Sequence, residues 1–152
     1  MSKINIYSIV KPSKDEFDIL IKEFIKMSSK YSKVEVHYIF NKNIAKAQSI
    51  GEKEAKQVYT ETYEPLLKGY NIALDVLGKK VDTYAFSSLI DNKNEVNFFI
   101  GGAFGFQRDF LSKCDNVISL SDLTMAHKLA NLVLTEQIFR SLCIQNNHPY
   151  HK

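Results

Sequence analysis

Short β-branched and aromatic runs alternate with segments of helical period along the whole chain, and no other feature limits the fold as sharply. Ile4 to Val10 (INIYSIV) reads as a strand, stopped by Lys11-Pro12-Ser13. Ser13 and Glu16 then have the spacing of a capping box, with Asp15 in the first turn. Phe17, Leu20, Ile21, Phe24 and Ile25 fall on one face of a helix that ends near Ser29 to Ser32. Val34 to Phe40 alternates as a second strand. Ala45 to Lys68 reads as one long helix, with Ala55, Val58, Tyr59, Thr62 and Leu66 on its apolar side and Lys46, Lys53 and Lys56 opposite. Gly69 closes it in a C-cap position. Asn71 to Val76 is a third strand, ended by Gly78-Lys79-Lys80, and Thr83 to Ile90 is a short helix. Val96 to Ile100 (VNFFI) is apolar nearly throughout, as a buried parallel strand should be. After Gly101-Gly102, Phe106 to Lys113 is helical, Val117 to Leu120 is a fifth strand and Ala126 to Gln145 is the last helix. The pattern implies an α/β fold, with a mostly parallel sheet flanked by helices.

Composition narrows the class. With 152 residues, 45% hydrophobic and 24% charged, residues 1–152 are expected to form a single domain. A chain of this length buries roughly 70% of its unfolded surface and needs no disulfide or metal staple. Ten Phe and eight Tyr argue against disorder. The longest uncharged stretch, Val96 to Gln107, falls short of the about 20 residues of a membrane span. Met1 to Asn5 has no signal-peptide layout, and Cys114 and Cys143 form no CxxC; both point to a cytoplasmic protein with reduced thiols. The net charge of +3 permits a polyanionic partner without demanding one. All cations except Arg108 and Arg140 are lysines, which suit phosphate better than base edges.

Ligands of open parallel sheets sit beyond the carboxyl ends of strands, beside a topological switch. Three junctions therefore matter: Leu74 to Leu77, Ile100 to Gly105 and Leu120 to Met125. Gly101, Gly102 and Gly105 let the backbone approach a ligand or simply make a tight turn; neither a P-loop nor a GxGxxG is present. Ser119, Ser121, Asp122 and Thr124 crowd the next junction, where Thr124 also fits the N-cap of the last helix. His127, in the first turn of that helix, is expected to be neutral and free to act as a base, or else structural. Glu136 and Arg140 are spaced i, i+4 in register with Leu129, Leu132, Val133 and Cys143, as a paired charge on a core-facing stripe. His148-Pro149-Tyr150-His151-Lys152 is either a frayed tail or a compact donor set suited to RNA; Pro149 rules out a regular helical metal pair.

Four segments, in order, resemble one family. They are Phe99-Ile100-Gly101-Gly102-Ala103-Phe104-Gly105, Ser119-Leu120-Ser121-Asp122-Leu123-Thr124-Met125-Ala126-His127, Leu134-Thr135-Glu136-Gln137-Ile138-Phe139-Arg140 and the closing His148-Pro149-Tyr150-His151-Lys152. Together with Leu74-Asp75-Val76-Leu77-Gly78-Lys79 they look like the RlmH-type methyltransferases of the SPOUT class, bacterial enzymes that methylate a pseudouridine of large-subunit ribosomal RNA at N3. The resemblance runs end to end. It implies a homodimer with a C-terminal trefoil knot and bent S-adenosylmethionine (SAM) as cofactor. Leu74 would line the adenine pocket. Gly101, Gly102 and Gly105 would allow close main-chain approach, and Leu120, Ser121, Asp122, Leu123, Thr124 and Met125 would wrap the cofactor. His127 and His151 are the candidate proton acceptors, with Tyr150 orienting; Arg140, His148 and Lys152 are candidate RNA contacts. No metal and no membrane are expected. The alternative is a catalytically silent SAM- or RNA-binding module in ribosome assembly. Ala103 and Ala126 stand where the family commonly has Pro, and Asn131 where Arg is frequent, which removes a cation from an expected RNA or dimer surface.

Overall fold

A computed structural model describes all 152 residues. The strands are β1 (Ser2–Ile9), β2 (Ser32–Ile39), β3 (Tyr70–Lys80), β4 (Glu95–Ile100) and β5 (Asn116–Ser119). The helices are α1 (Glu16–Ser28), α2 (Lys42–Ile50), α3 (Glu52–Tyr63), α4 (Thr83–Ile90), α5 (Arg108–Lys113) and α6 (His127–Gln145), with a 3₁₀ turn at Glu64–Leu66. One sheet of order β2-β1-β4-β3-β5 forms, every pair parallel.

Alternation along the central strands builds two cores. Ile4, Ile6, Ile72, Phe98 and Ile100 face Phe86 and Ile90 of α4 and Leu134, Ile138 and Leu142 of α6. Tyr7, Ile9, Ala73 and Phe99 face Ile44 of α2, Ala55, Tyr59 and Tyr63 of α3 and Phe110 of α5. Between these apolar layers runs one polar rung. Asn5 Nδ2 donates to Asn97 Oδ1 at 2.9 Å, and Asn97 Nδ2 donates to the Lys68 carbonyl at 2.6 Å. His37 Nε2 lies 3.2 Å from Asn5 Oδ1, and Asn71 pairs with Asn97 in register. Because only one register satisfies these amides, the rung pins four strands against slippage.

Several boundaries differ from the sequence reading. Asp15, not Ser13, caps α1: its carboxylate accepts from Phe17 and Asp18 N–H groups, and Asp18, not Glu16, completes the box. The expected long helix breaks at Gly51, whose φ of +157° and ψ of −177° belong to a region nearly closed to other residues. The chain leaves the helical path again at the Pro65 3₁₀ turn, so Gly69 precedes β3 rather than closing a helix. Strand β3 does not end at Val76. Leu74 and Lys79 both pair with Ile118, so residues 75–78 bulge off the sheet before pairing resumes. Gly78 permits that return, since a Cβ there would lie 2.7 Å from the Ile118 carbonyl carbon.

Helix α6 also turns differently. Its sheet-facing stripe is Asn131, Leu134, Thr135, Ile138 and Leu142, whereas Leu129 is 38% exposed and Leu132 and Val133 are half-buried. The helix is apolar on two sides; of the stripe that periodicity assigned to the core, Cys143 is fully buried while Leu129, Leu132 and Val133 are covered only in part. Asn131 is fully buried, its Nδ2 donating to Ser8 Oγ at 2.8 Å, so it lies on no RNA or dimer surface. Asn97→Ala leaves Asn5 Nδ2 and the Lys68 carbonyl without a partner; urea unfolding should show a loss of about 1–3 kcal/mol.

Candidate active site

The loops after β3, β4 and β5 converge because these strands are neighbours in the sheet. They enclose a cleft of about 260 Å³, just below the roughly 300–1,000 Å³ of drug-sized sites. Leu74, Gly101, Gly102, Gly105, Leu120, Ser121, Leu123, Thr124, Met125 and His127 all line it. Asp122 does not; its carboxylate pairs with Lys80 Nζ at 2.6 Å on the surface. Asp75, Val76, Ile100, Ala103, Phe106, Ser119 and Ala130 complete the wall. The first four lie inside the junctions already singled out. Phe106 and Ala130 carried no sequence signal, because only packing turns them inward. A larger groove of about 660 Å³ between α2 and α3 is lined mostly by polar side chains, with Ala47, Ile50 and Val58 as its apolar members, and shares no residue with the cleft.

The floor is built from α3. Tyr63 Oη lies 2.6 Å from the Ile100 carbonyl and 3.1 Å from that of Tyr7, so it ties down the ends of β4 and β1. Burial raises its pKa, keeping it a neutral donor. Tyr59 lies under Gly102, where a Cβ would come within 2.4 Å of the ring. The absent side chain of Gly102 therefore makes room for Tyr59, and its main chain faces the cleft. The main chain turns back between Gly102 and Gly105, closed by a 3.0 Å bond from Gly105 N–H to the Gly102 carbonyl.

Ser119 and Ser121 organise their own loop. Ser119 Oγ donates to the Ser121 carbonyl at 2.9 Å, and Ser121 Oγ accepts from Leu123 N–H at 3.0 Å. Thr124 does not cap α6; the N-cap is Ala126, which offers no side-chain bond. The helix start is held from outside instead. Lys128 Nζ donates to Asp18 at 2.6 Å, to Asp15 at 3.0 Å and to Ser13 Oγ at 3.0 Å. Burial alone would raise the Asp18 carboxyl, but hydrogen bonds from Lys128 and Tyr38 outweigh it and hold the pKa below its ordinary value. Next to Lys128, His127 is half-buried, and burial pushes its pKa down.

The tail stands apart from this cleft. Tyr150 Oη donates to Glu136 Oε1 at 3.0 Å, and Arg140 bonds both Glu136 and His151. From His127 to Glu136 is nine helical residues, about 13 Å of axial rise. One chain therefore does not bring His127 together with Tyr150 and His151. Burial and the Glu136 bond raise the Tyr150 pKa, so it is a donor. His148 and Lys152 are exposed. No group of three or more His, Cys, Asp or Glu side chains is placed to hold a metal ion.

The family described as "Predicted SPOUT methyltransferase" matches residues 2–151. The chain belongs to the SPOUT methyltransferase family. It is 85% identical over 150 residues to the Ribosomal RNA large subunit methyltransferase H of Aliarcobacter butzleri, covering 99% of both chains. It is 49% identical to the protein of the same name from Campylobacter concisus, again over 99% of each. The crystal structure of a Bacillus anthracis protein proposed to be an RNA methyltransferase superposes with a TM-score of 0.51 over 99% of this chain and 97% of that one; at 14% identity it shows a shared fold alone.

Two substitutions test the site's construction. Gly102→Ala forces a methyl group into the buried Tyr59 ring and should cost about 1–3 kcal/mol in urea unfolding. Lys128→Met leaves two carboxylates uncompensated and should cost about 3 kcal/mol at neutral pH. Asp18 has a lowered folded pKa, so its contribution is present above the ordinary carboxylate range and lost as pH falls through the folded value. Unfolding the Lys128→Met variant across that range should show a smaller loss with acid than the parent does.

Proposed function

We propose that this chain is a SAM-dependent methyltransferase of large-subunit ribosomal RNA, acting on N3 of a pseudouridine in the assembled ribosome of the cytoplasm. The observation that carries this reading is the convergence of three strand-end loops on one cleft that also holds a neutral, half-buried histidine. The Aliarcobacter relative, 85% identical, is by its name a methyltransferase of large-subunit ribosomal RNA, which supports the choice of RNA. No helix is long and apolar enough to cross a membrane.

The cleft suits a methyl donor of this kind. Leu74, Ile100, Phe106 and Met125 offer apolar surface for an adenine ring, and the main chain of Gly101 to Ala103 and Leu120 to Ser121 offers polar groups. When bound, SAM supplies a sulfonium-activated methyl group. The protein aligns it with the nucleophile and excludes water. The N3 proton must leave, and His127 carries a free lone pair to receive it.

A homodimer completes the site. The tail lies about 13 Å along α6 from His127, while Leu129, Leu132 and Val133 form an apolar side of α6 that its own chain covers only in part. A second copy packed there brings its tail to this cleft, with Arg140, His148 and Lys152 toward RNA. The C-terminal third is threaded as the trefoil knot of the SPOUT class. The modest net charge means that one copy holds little RNA alone.

Transfer of labelled methyl from SAM to ribosomes lacking the modification, with nucleoside analysis, tests the reading. Label should appear as N3-methylpseudouridine, and free rRNA fragments should react far more slowly. SAM binding without transfer would favour a silent module. The lowered His127 pKa places the acid limb of kcat below the ordinary histidine value: activity should hold at neutral pH and fall as acid protonates the ring. His127→Ala should lower kcat by about 10²-fold or more while SAM still binds.

A further inference from the structure

The C-terminal tail holds one imidazole in an arrangement that fixes its chemistry. Glu136 grips Arg140: Nε and Nη2 both donate to Glu136 Oε1, at 3.0 and 2.5 Å. The same oxygen accepts the Tyr150 hydroxyl, and the guanidinium lies over the Tyr150 ring, 4.7 Å from its centroid. The remaining guanidinium nitrogen, Nη1, lies 3.0 Å from His151 Nδ1. Tyr84 of α4 meets the His151 ring nearly perpendicularly, with centroids 5.1 Å apart.

A guanidinium has donors only and keeps its charge. His151 Nδ1 must therefore present its lone pair; a proton there would set donor against donor. The ring proton is left on Nε2, and Nε2 has no partner within the chain. A nitrogen that already carries its proton cannot accept another.

We propose that His151 works through Nε2–H as a hydrogen-bond donor to a carbonyl oxygen of the substrate base, not as acceptor of the N3 proton, and that the Glu136–Arg140 pair fixes this tautomer. The proposal rests on the reading above, in which the tail of one copy closes over the cleft of another. N3 of a uracil-type ring lies between two carbonyls, so a donor brought beside N3 meets one of them. As the N3–H bond breaks, its proton would pass to His127 and the freed electron pair would bond the methyl carbon, while the methyl–sulfur bond breaks and its pair stays on the departing thioether. A donor on the flanking oxygen stabilises the charge that develops meanwhile. Arg140 and Glu136 act as positioning residues, through His151.

Two measurements on the full-length protein test this. Nitrogen-15 NMR of histidine-labelled protein, with His151 assigned by its loss in His151→Gln, reads the tautomer without substrate. We expect a bare Nδ1 and a protonated Nε2 as the single form, and an Arg140→Met variant should relax to the mixture of tautomers of a free imidazole, in which Nε2–H only predominates. Methyl transfer to unmodified ribosomes then separates donor from base. His151→Ala should lower kcat roughly tenfold or more with little change in KM for SAM. His151→Gln, which places an amide N–H near the Nε2 position but carries no basic nitrogen, should recover most of that loss. An Nδ1–H tautomer, or a His151→Gln enzyme as slow as His151→Ala, overturns the proposal. If the tautomer is as expected but the parent protein transfers no methyl group to ribosomes, the reading of the function fails and the donor role falls with it.

Discussion

The packing of Tyr59 and Tyr63 beneath the end of β4 is the contact on which the site depends. Tyr63 satisfies the carbonyl of Ile100 at the point where the central strand stops, and Tyr59 occupies the space that the Gly102 side chain would need. Both rings are fully buried among Phe99, Phe106 and Phe110. A buried hydroxyl without a partner is costly, so each ring has one allowed position. That fixes where β4 turns, and hence where its loop meets the loops of β3 and β5. The cleft follows from an aromatic foundation on one face of the sheet.

The other face contributes the helix that closes the cleft. Helix α6 has no side-chain cap and begins with His127 followed by a lysine, a poor start beside the positive end of a helix dipole. Asp15 and Asp18 neutralise that lysine from α1, and Asn131 ties the next turn to Ser8 of β1. These bonds fix the rotation of α6. One apolar side lies on the sheet and a second is turned outward, and His127 is brought to the cleft while Glu136 and Arg140 hold the tail further along.

Sequence pattern carried most of the architecture. Five strands and their order along the chain were legible because buried parallel strands read as apolar runs. The three junctions were legible because parallel sheets place loops from one end of every strand together. The breaks at Gly51 and across residues 75–78 were not. A helical period runs straight through Ile50-Gly51-Glu52, and a bulge is set by the partner strand, here Ile118 meeting both Leu74 and Lys79. The choice between the two apolar sides of α6 was likewise invisible, since residues alone do not say which side meets the sheet. Thr124 looked like a cap for the same reason: a hydroxyl before a helix offers a bond, but the backbone decides whether an N–H is in reach.

By itself, then, the sequence determined the α/β class, the junctions that face the cleft and, through motifs spread from Phe99 to Lys152, the family. Those features are local in the chain or repeat at a fixed period. Only the tertiary structure decided that Asp122 leaves the cleft for Lys80, that Asn131 is buried, and that His127 lies far from Tyr150 and His151 within one chain. It also decided that His151 Nδ1 faces the Arg140 guanidinium. These are relations between groups distant in sequence, set by packing and by the hydrogen bonds it leaves open to buried polar groups.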